Sequence, residues 1–318
     1  MRICLTGIAG FIGYHLAHYL KKKGCEVMGL DSFHPYYSVA LKEKRAHMLE
    51  KEGIKIEKVD IAQKIELLSC IEKFGPTHIV HLAAQAGVRF GAKDPDSYIE
   101  SNLRGFVNIL EVVRKYPHIP FIYASSSSVY GEQKQKPFVE DLCTDFPTSL
   151  YAATKKSGEL LAYAYHRMYG IKSTGLRFFT VYGPWGRPDM AYFSFAQKIM
   201  KEEKIQLFNE GDMHRDFTYI EDIVSGISTC IEKSFDWEIF NLGNSKPVSL
   251  LYFVQLLEKY LGKKAHLTFS KAPLGEMPLT YADIRKSQDK LNFHPKVSIE
   301  EGLEHFVEWF KKDGVLLQ

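Results

Sequence analysis

The start of the chain joins an apolar run, a glycine-rich loop, a helical pattern and a second apolar run that ends in an acid. Glycines stand at positions 7, 10 and 13, a helical pattern follows to Lys23, and Gly24 is a favourable helix end. A helix that begins directly after such a loop presents unpaired N–H groups, which suit phosphate oxygens. This order restricts the fold to a βαβ unit that binds a nucleotide.

The second apolar run ends at Asp31. A carboxylate at this point accepts hydrogen bonds from adenosine ribose hydroxyls and repels a 2′-phosphate, so the sequence favours NAD over NADP. The glycine spacing is G-x-x-G-x-x-G rather than G-x-G-x-x-G, but it meets the same need for a tight turn and a close backbone approach to pyrophosphate.

Strand and helix patterns keep alternating through the first half of the chain, which predicts an α/β fold with a doubly wound parallel sheet. The further predicted strands cover residues 54–59, 78–83, 120–124, 171–177 and 239–242, and the predicted helices cover 62–73, 97–115 and 149–169. Ligands of such sheets bind at the carboxyl ends of the strands. The glycine loop and the polar residues after each strand are therefore expected at one edge.

Tyr151 and Lys155 stand four residues apart at the start of a predicted helix, and a serine run at 125–128 ends the strand before it. Residues i and i+4 share a helix face, and a nearby ammonium lowers the pKa of a phenol, which prepares tyrosine to take a proton. The same spacing recurs at Tyr19/Lys23, Tyr130/Lys134 and Tyr260/Lys264, which are interpreted as helix or loop surface. Location, not spacing, singles out the first pair.

The composition is that of an ordinary globular protein. The 318 residues are 45% hydrophobic and 25% charged, with a net charge of +3, which disfavours nucleic-acid binding. No apolar stretch is long enough to span a membrane and no signal peptide is recognised. The five scattered cysteines are expected to be reduced, and no metal site is expected at His78 and His81. A cytoplasmic location follows.

Several motifs resemble the extended short-chain dehydrogenase/reductases over nearly the whole chain. They are Thr6-Gly7-x-x-Gly10-x-x-Gly13, His81-Leu82-Ala83-Ala84, Asn102, Ser125-Ser126-x-x-Val129-Tyr130-Gly131 and Tyr151-x-x-x-Lys155. Within that superfamily the run from Leu176 to Met190, which reads LRFFTVYGPWGRPDM, is most similar to the UDP-glucuronate 4-epimerases. The resemblance implies inversion at C4 of the sugar through a transient 4-keto form, with NAD kept bound.

The resemblance also implies the roles of individual residues. Tyr151, Lys155, Ser126 and Ser128 form the catalytic set, in which Lys155 and the cationic nicotinamide lower the pKa of Tyr151. The expected NAD-binding residues are Gly7, Gly10, Phe11, Ile12, Gly13, Asp31, Ser32, Asp60, Ile61, Leu82, Ala83, Ala84, Asn102, Ser125, Tyr151, Lys155 and Phe178. The expected substrate-binding residues are Arg89, Ser126, Ser127, Ser128, Thr180, Arg187, Gln206, Phe208 and Arg215.

Ser127 and Ser128 favour simple epimerisation over decarboxylation or dehydration. The decarboxylases and dehydratases that this family resemblance includes carry an acid just before the Val-Tyr-Gly motif, where this chain has the two serines. We hypothesise that both serines and Thr180 bind the substrate carboxylate and oppose its loss. Arg89 and Arg187 are candidates for binding the anionic substrate, since a guanidinium matches a carboxylate or a phosphate, and a salt bridge at a domain interface is the alternative interpretation of each. A UDP-glucose 4-epimerase, a UDP-glucuronate decarboxylase and a regulator that binds a dinucleotide without catalysis are the alternative functions.

The alternation of strands and helices breaks after residue 180, which predicts two domains. Residues 1–180 and 221–247 are expected to form the NAD-binding Rossmann domain, and residues 181–220 and 248–318 a smaller nucleotide-sugar-binding domain. The predicted helices 97–115 and 149–169 resemble the pair that forms a four-helix dimer interface in this superfamily. A homodimer is therefore expected.

Overall fold

The computed structural model describes residues 1–88, 90–271 and 277–314. The strands are β1 (Arg2–Thr6), β2 (Glu26–Asp31), β3 (Lys55–Lys58), β4 (His78–His81), β5 (Phe121–Ser126), β6 (Ser173–Phe178), β7 (Thr180–Tyr182), β8 (Lys204–Phe208), β9 (His214–Tyr219), β10 (Trp237–Leu242), β11 (Pro247–Ser249), β12 (His266–Ser270) and β13 (Leu279–Thr280). The helices are α1 (Phe11–Lys22), α2 (Val39–Lys51), α3 (Lys64–Phe74), α4 (Pro95–Tyr98), α5 (Phe106–Lys115), α6 (Leu150–Tyr169), α7 (Ala191–Met200), α8 (Ile220–Lys233), α9 (Leu250–Leu261), α10 (Arg285–Leu291) and α11 (Ile299–Lys312).

A seven-stranded parallel sheet forms the centre of the protein, in the order β10-β6-β5-β4-β1-β2-β3. The chain builds outward from β1 to β3 and then crosses to β4 on the other side of β1. This reversal opens a crevice at the carboxyl ends of β1 and β4, where such sheets bind ligands. The predicted doubly wound α/β fold is confirmed.

Successive side chains of the central strands enter two separate apolar layers, one on each face of the sheet. On β1, Ile3 and Leu5 belong to one buried cluster and Cys4 belongs to the other. On β5, Ile122 shares the first cluster while Phe121 joins the second. Side chains alternate between the faces of a strand, so a sheet covered by helices on both faces must be apolar at nearly every position.

Two smaller sheets lie outside the central one. One sheet joins β7, β9, β11 and β13, and the other pairs β8 with β12. After β9 the chain returns to the central sheet through α8, and β10 pairs in parallel with β6 at its edge. The division into two domains at the predicted boundaries stays a prediction.

The prediction of one regular α-helix over residues 97–115 is wrong, although the segment is helical throughout. The structure has the short helix α4, a π-helix at Ile99–Gly105 and then α5. Inside the π-helix, Asn102 is buried. Its Oδ1 accepts a hydrogen bond from the Gln85 N–H at 2.8 Å, and its Nδ2 donates to the Gln85 carbonyl at 2.9 Å. Apolar periodicity does not report this widened turn, since the polar contact that accompanies it lies far away in sequence.

Candidate active site

The glycine loop packs so closely that side chains are excluded from it. Gly7 has a φ of +75°, in the left-handed region that favours glycine, and its N–H donates to the Leu30 carbonyl at 2.7 Å. A Cβ on Gly13 would lie 2.1 Å from the Gly7 carbonyl oxygen. The backbone at the start of α1 is therefore open to a phosphate, which is the fit that a dinucleotide requires.

Asp31 lies at the end of β2, where the ribose of a dinucleotide would lie. Its carboxylate accepts hydrogen bonds from the Ala9 and Phe33 N–H groups at 3.0 and 2.8 Å and still faces the cavity. Burial raises the pKa of the Asp31 carboxyl, and these two N–H groups and the Lys42 charge oppose that rise. Lys42, which also lines the cavity, was not among the predicted site residues.

One cavity of about 370 Å³ runs along the carboxyl edge of the central sheet. This volume falls within the range of small-molecule sites. Most of the predicted site residues line it, namely Gly7, Gly10, Phe11, Ile12, Gly13, Asp31, Ser32, Asp60, Ile61, Leu82, Ala83, Ala84, Ser125, Ser126, Ser127, Ser128, Tyr151, Lys155, Phe178, Thr180 and Arg187. The glycine loop and the serine, tyrosine and lysine set therefore face the same space.

The catalytic candidates come from the end of β5 and the first turns of α6. Ser149 caps α6, since its hydroxyl accepts a hydrogen bond from the Ala152 N–H at 3.1 Å. Tyr151 then lies in the first turn, hydrogen-bonded to Ser126. Lys155 lies one turn later, and its ammonium donates to the Ala124 carbonyl at 2.9 Å. The chain itself thus brings hydroxyl, phenol and ammonium together.

Burial raises the pKa of the Tyr151 phenol, and the hydrogen bond from Ser126 and the charge of Arg187 partly oppose this. Burial also lowers the pKa of Lys155 to about 8. The Lys155 ammonium lies 5.9 Å from the centroid of the Tyr151 ring. Burial thus sets the direction of the Tyr151 pKa shift in the chain alone, and the expectation that Lys155 and the cationic nicotinamide together lower this pKa stays a prediction.

A buried ion pair anchors α6 to β6 and, through Ser125, to β5, which ends in the serine run. Glu159 and Arg177 are both 3% exposed and are joined by two hydrogen bonds of 2.8 Å. The Ser125 hydroxyl also donates to Glu159, at 2.6 Å. Tyr130 completes this network, because it is buried and accepts a hydrogen bond from Arg177 at 3.0 Å. Its interpretation as loop surface is wrong.

Four further polar residues line the same cavity as Tyr151. Ser127 and Ser128 follow β5, and Thr180 begins β7. The fourth is Arg187, whose guanidinium makes two hydrogen bonds to Asp189 at 3.1 and 2.5 Å. The ion pair proposed as an alternative is thus present, but within one loop and with Arg187 still facing the cavity.

Tyr36 donates to the same Asp189 carboxylate at 2.9 Å. Asp189 and Tyr36 were missed by the sequence analysis. The tyrosine is far away in the sequence, and a carboxylate two residues after an arginine is ordinary in a loop.

Five predicted residues are not among those that line the cavity. Arg89 lies outside the described residues. Asn102 is held beneath the cavity wall by Gln85 and by Thr154, the latter at 3.0 Å. The other three lie on the smaller sheets: Gln206 and Phe208 on β8 and Arg215 on β9. Asn102 is therefore placed to position the wall, and the expected contacts of all four described residues with a ligand stay predictions.

Comparisons with known proteins agree with this geometry. Residues 3–243 match the profile of the NAD dependent epimerase/dehydratase family. UDP-glucuronate 4-epimerase 2 of Arabidopsis thaliana is 45% identical over 97% of this chain and 75% of its own length.

Solved structures are similar as well. The Bacillus cereus UDP-glucuronic acid 4-epimerase, in complex with UDP-glucuronic acid and NAD, is 36% identical over 98% of this chain and 99% of that one, with a TM-score of 0.91. A UDP-glucose 4-epimerase from Thermotoga maritima with UDP-glucose is 28% identical over the same shares, with a TM-score of 0.87.

Proposed function

The chain belongs to the NAD dependent epimerase/dehydratase family, and we propose that it is a UDP-glucuronate 4-epimerase that forms UDP-galacturonate. The observation that carries this proposal is the shared cavity. The glycine loop, Ser126, Tyr151 and Lys155 line it together with Ser127 and Ser128, which stand where related decarboxylases and dehydratases carry an acid. NAD is the cofactor, and the loop geometry and Asp31 suit it.

The catalytic residues handle one proton in each direction. Bound NAD supplies the acceptor and donor of hydride at C4. Tyr151, as phenolate, takes the proton of the 4-hydroxyl and later returns it to the 4-oxygen, while Ser126 hydrogen-bonds both the phenol and that oxygen. The ammonium of Lys155 is held by the Ala124 carbonyl, which places it to bind the nicotinamide ribose. Burial raises the pKa of Tyr151 in the chain alone, and the positive charge that bound NAD would supply opposes this rise.

The hydroxyls of Ser127, Ser128 and Thr180 and the guanidinium of Arg187 hold the uronic acid carboxylate. The 4-keto form of glucuronate is a β-keto acid, which loses carbon dioxide when its C–CO₂ bond aligns with the carbonyl. Several fixed hydrogen bonds to the carboxylate keep that bond out of alignment. The serines stand where an acid would serve elimination or decarboxylation, so epimerisation without loss of carbon follows.

The remaining assignments belong to the same proposal. Gln206 and Phe208 contact the uracil and Arg215 contacts the diphosphate, on a smaller domain formed by residues 181–220 and 248–318. Ser128 belongs to the catalytic set as well as to the carboxylate group.

The protein acts as a cytoplasmic homodimer. Large apolar side chains on the π-helix and α6 support this, since they are more than 40% exposed in the single chain: Ile99, Leu160, Tyr163 and Met168. Within the described part of the chain, no helix has the length and apolar character to cross a membrane.

Incubation with UDP-glucuronate, without added NAD, tests the proposal when the products are followed by NMR. UDP-galacturonate as the product supports it. UDP-xylose with carbon dioxide would instead indicate a decarboxylase. Turnover of UDP-glucose with no change in UDP-glucuronate would indicate the neutral-sugar epimerase.

A further inference from the structure

Three consecutive backbone carbonyls, at residues 184–186, are bound by side chains from the cofactor side of the cavity. Nε2 of His15 lies 2.9 Å from the first carbonyl oxygen, and Nη2 of Arg45 donates to the second and third at 2.5 and 2.9 Å. Nη1 of Arg45 donates to the carbonyl of Ala9 at 2.9 Å and to the hydroxyl of Tyr37 at 2.8 Å. One guanidinium therefore ties the glycine loop to the segment just before Arg187.

Two further features show that this arrangement is costly. Trp185 has a φ of +57°, a conformation that bulky residues rarely adopt and that persists only where the surroundings enforce it. Arg45 is fully buried, and within the described residues no carboxylate forms an ion pair with it. A buried cation whose hydrogen bonds go only to neutral groups contributes little to stability, so a role in the site accounts for it better.

We propose that Arg45, together with His15, is a positioning residue that fixes the 184–186 segment and so aims the Arg187 guanidinium at the substrate carboxylate. This inference rests on the proposed function, because it requires Arg187 to bind a uronic acid. Asp189 binds Nε and Nη2 of Arg187 from one side, and within the described residues Nη1 has no hydrogen-bond partner, which leaves it for the substrate. The hydrogen bonds of Arg45 and His15 to the backbone carbonyls and the contact of Arg187 with Asp189 together determine where Nη1 of Arg187 lies.

The ratio of the affinities for UDP-glucuronate and UDP-glucose tests the positioning role of Arg45, because only the acidic sugar has a carboxylate for Arg187 to bind. Affinities for UDP-glucuronate and UDP-glucose are measured by calorimetry in Tyr151→Phe protein that holds NAD, which prevents turnover. Arg45→Lys should weaken UDP-glucuronate binding by on the order of tenfold, the size of one charge-assisted hydrogen bond, and UDP-glucose binding by less than about twofold. In an Arg187→Met background, Arg45→Lys should cause no further loss of discrimination.

Lys44→Gln is the matched control, because Lys44 lies on the same helix with its ammonium 5.2 Å from the Trp185 ring centroid and pairs with Asp313. It should leave both affinities unchanged. Equal losses for the two sugars after Arg45→Lys, or additive losses with Arg187→Met, would overturn the proposal. If Arg45→Lys does not fold, His15→Phe removes a single carbonyl contact and should lower discrimination in the same direction.

A second measurement separates failure of this inference from failure of the proposed function. If the Tyr151→Phe protein with Arg45 intact binds both sugars equally, the proposed function fails. The positioning role is then decided by fluorescence of a Trp237→Phe protein, in which the rings of Trp185 and Trp309, 5.3 Å apart, report on the segment. Arg45→Lys should increase acrylamide quenching relative to Lys44→Gln, and unchanged quenching overturns the role.

Discussion

Replacing Glu159 with Gln should destabilise the protein far more than removal of an ordinary ion pair. The Glu159 carboxylate accepts three hydrogen bonds, one from Ser125 and two from Arg177, and both charged side chains are 3% exposed. The amide that replaces the carboxylate turns an N–H group toward other donors and leaves the guanidinium buried without its counter-charge. Breaking one partner of a buried pair costs about 3–5 kcal/mol.

A matched exposed pair lies in the same sheet. Arg2 on β1 and Glu26 on β2 are 3.0 Å apart but 45% and 61% exposed, so Glu26→Gln should cost about 0–1 kcal/mol. Urea denaturation followed by circular dichroism gives the free energy of unfolding of each variant. The two values are comparable if the dependence of the free energy on urea concentration has the same slope in both variants. The double variant Glu159→Gln/Arg177→Met should recover part of the loss, because no buried charge then stays unpaired.

The reasoning is refuted if Glu159→Gln and Glu26→Gln shift the free energy of unfolding equally. The same variant should also lower kcat, because Glu159 anchors α6 one turn beyond Lys155 and binds the strand that carries the serines. Full activity together with a large loss of stability would mean that the pair supports the fold without positioning the site.

Three further predictions concern the cavity itself. Tyr151→Phe should lower kcat by about 10²–10⁴-fold, because a general base is lost. Turnover assays measure this loss, and the absorbance of the purified protein should show that NAD stays bound. Ser126→Ala should move the rise of kcat with pH to higher pH, because the hydrogen bond that lowers the pKa of Tyr151 is lost; an unchanged profile contradicts this. Gly13→Ala should abolish NAD retention, since its Cβ would lie 2.1 Å from the Gly7 carbonyl oxygen, whereas Gly24→Ala meets nothing within 4 Å and should retain NAD.

Residues that follow strands were the most predictable part of the site. The alternation of apolar runs and helices predicts a parallel sheet, and the carboxyl ends of its strands meet at one edge. That argument alone brings Gly7, Asp31, Ser126 and Tyr151 to one cavity, as the structure shows. The spacing of Tyr151 and Lys155 contributed little, because the same spacing recurs at three other places.

Contacts between distant residues were not predictable, because periodicity carries no information about them. Arg45 lies on α2 and binds carbonyls of a loop after β7, and nothing in its local sequence marks it as buried. The contacts of the Asn102 side chain with Gln85 and Thr154 were likewise not predictable, and its expected contact with the cofactor stays a prediction. The desolvation that raises the pKa of Tyr151 in the chain alone was also not predictable, since it depends on packing that spacing does not express.

The central claim is inversion at C4 through transient oxidation within one closed site. UDP-glucuronate that carries deuterium at C4 tests it most directly, when it is incubated with the purified protein in ordinary water without added NAD. The account predicts UDP-galacturonate that retains the deuterium at C4 and keeps all six sugar carbons, observed by NMR. Product that carries solvent hydrogen at C4 would contradict the account.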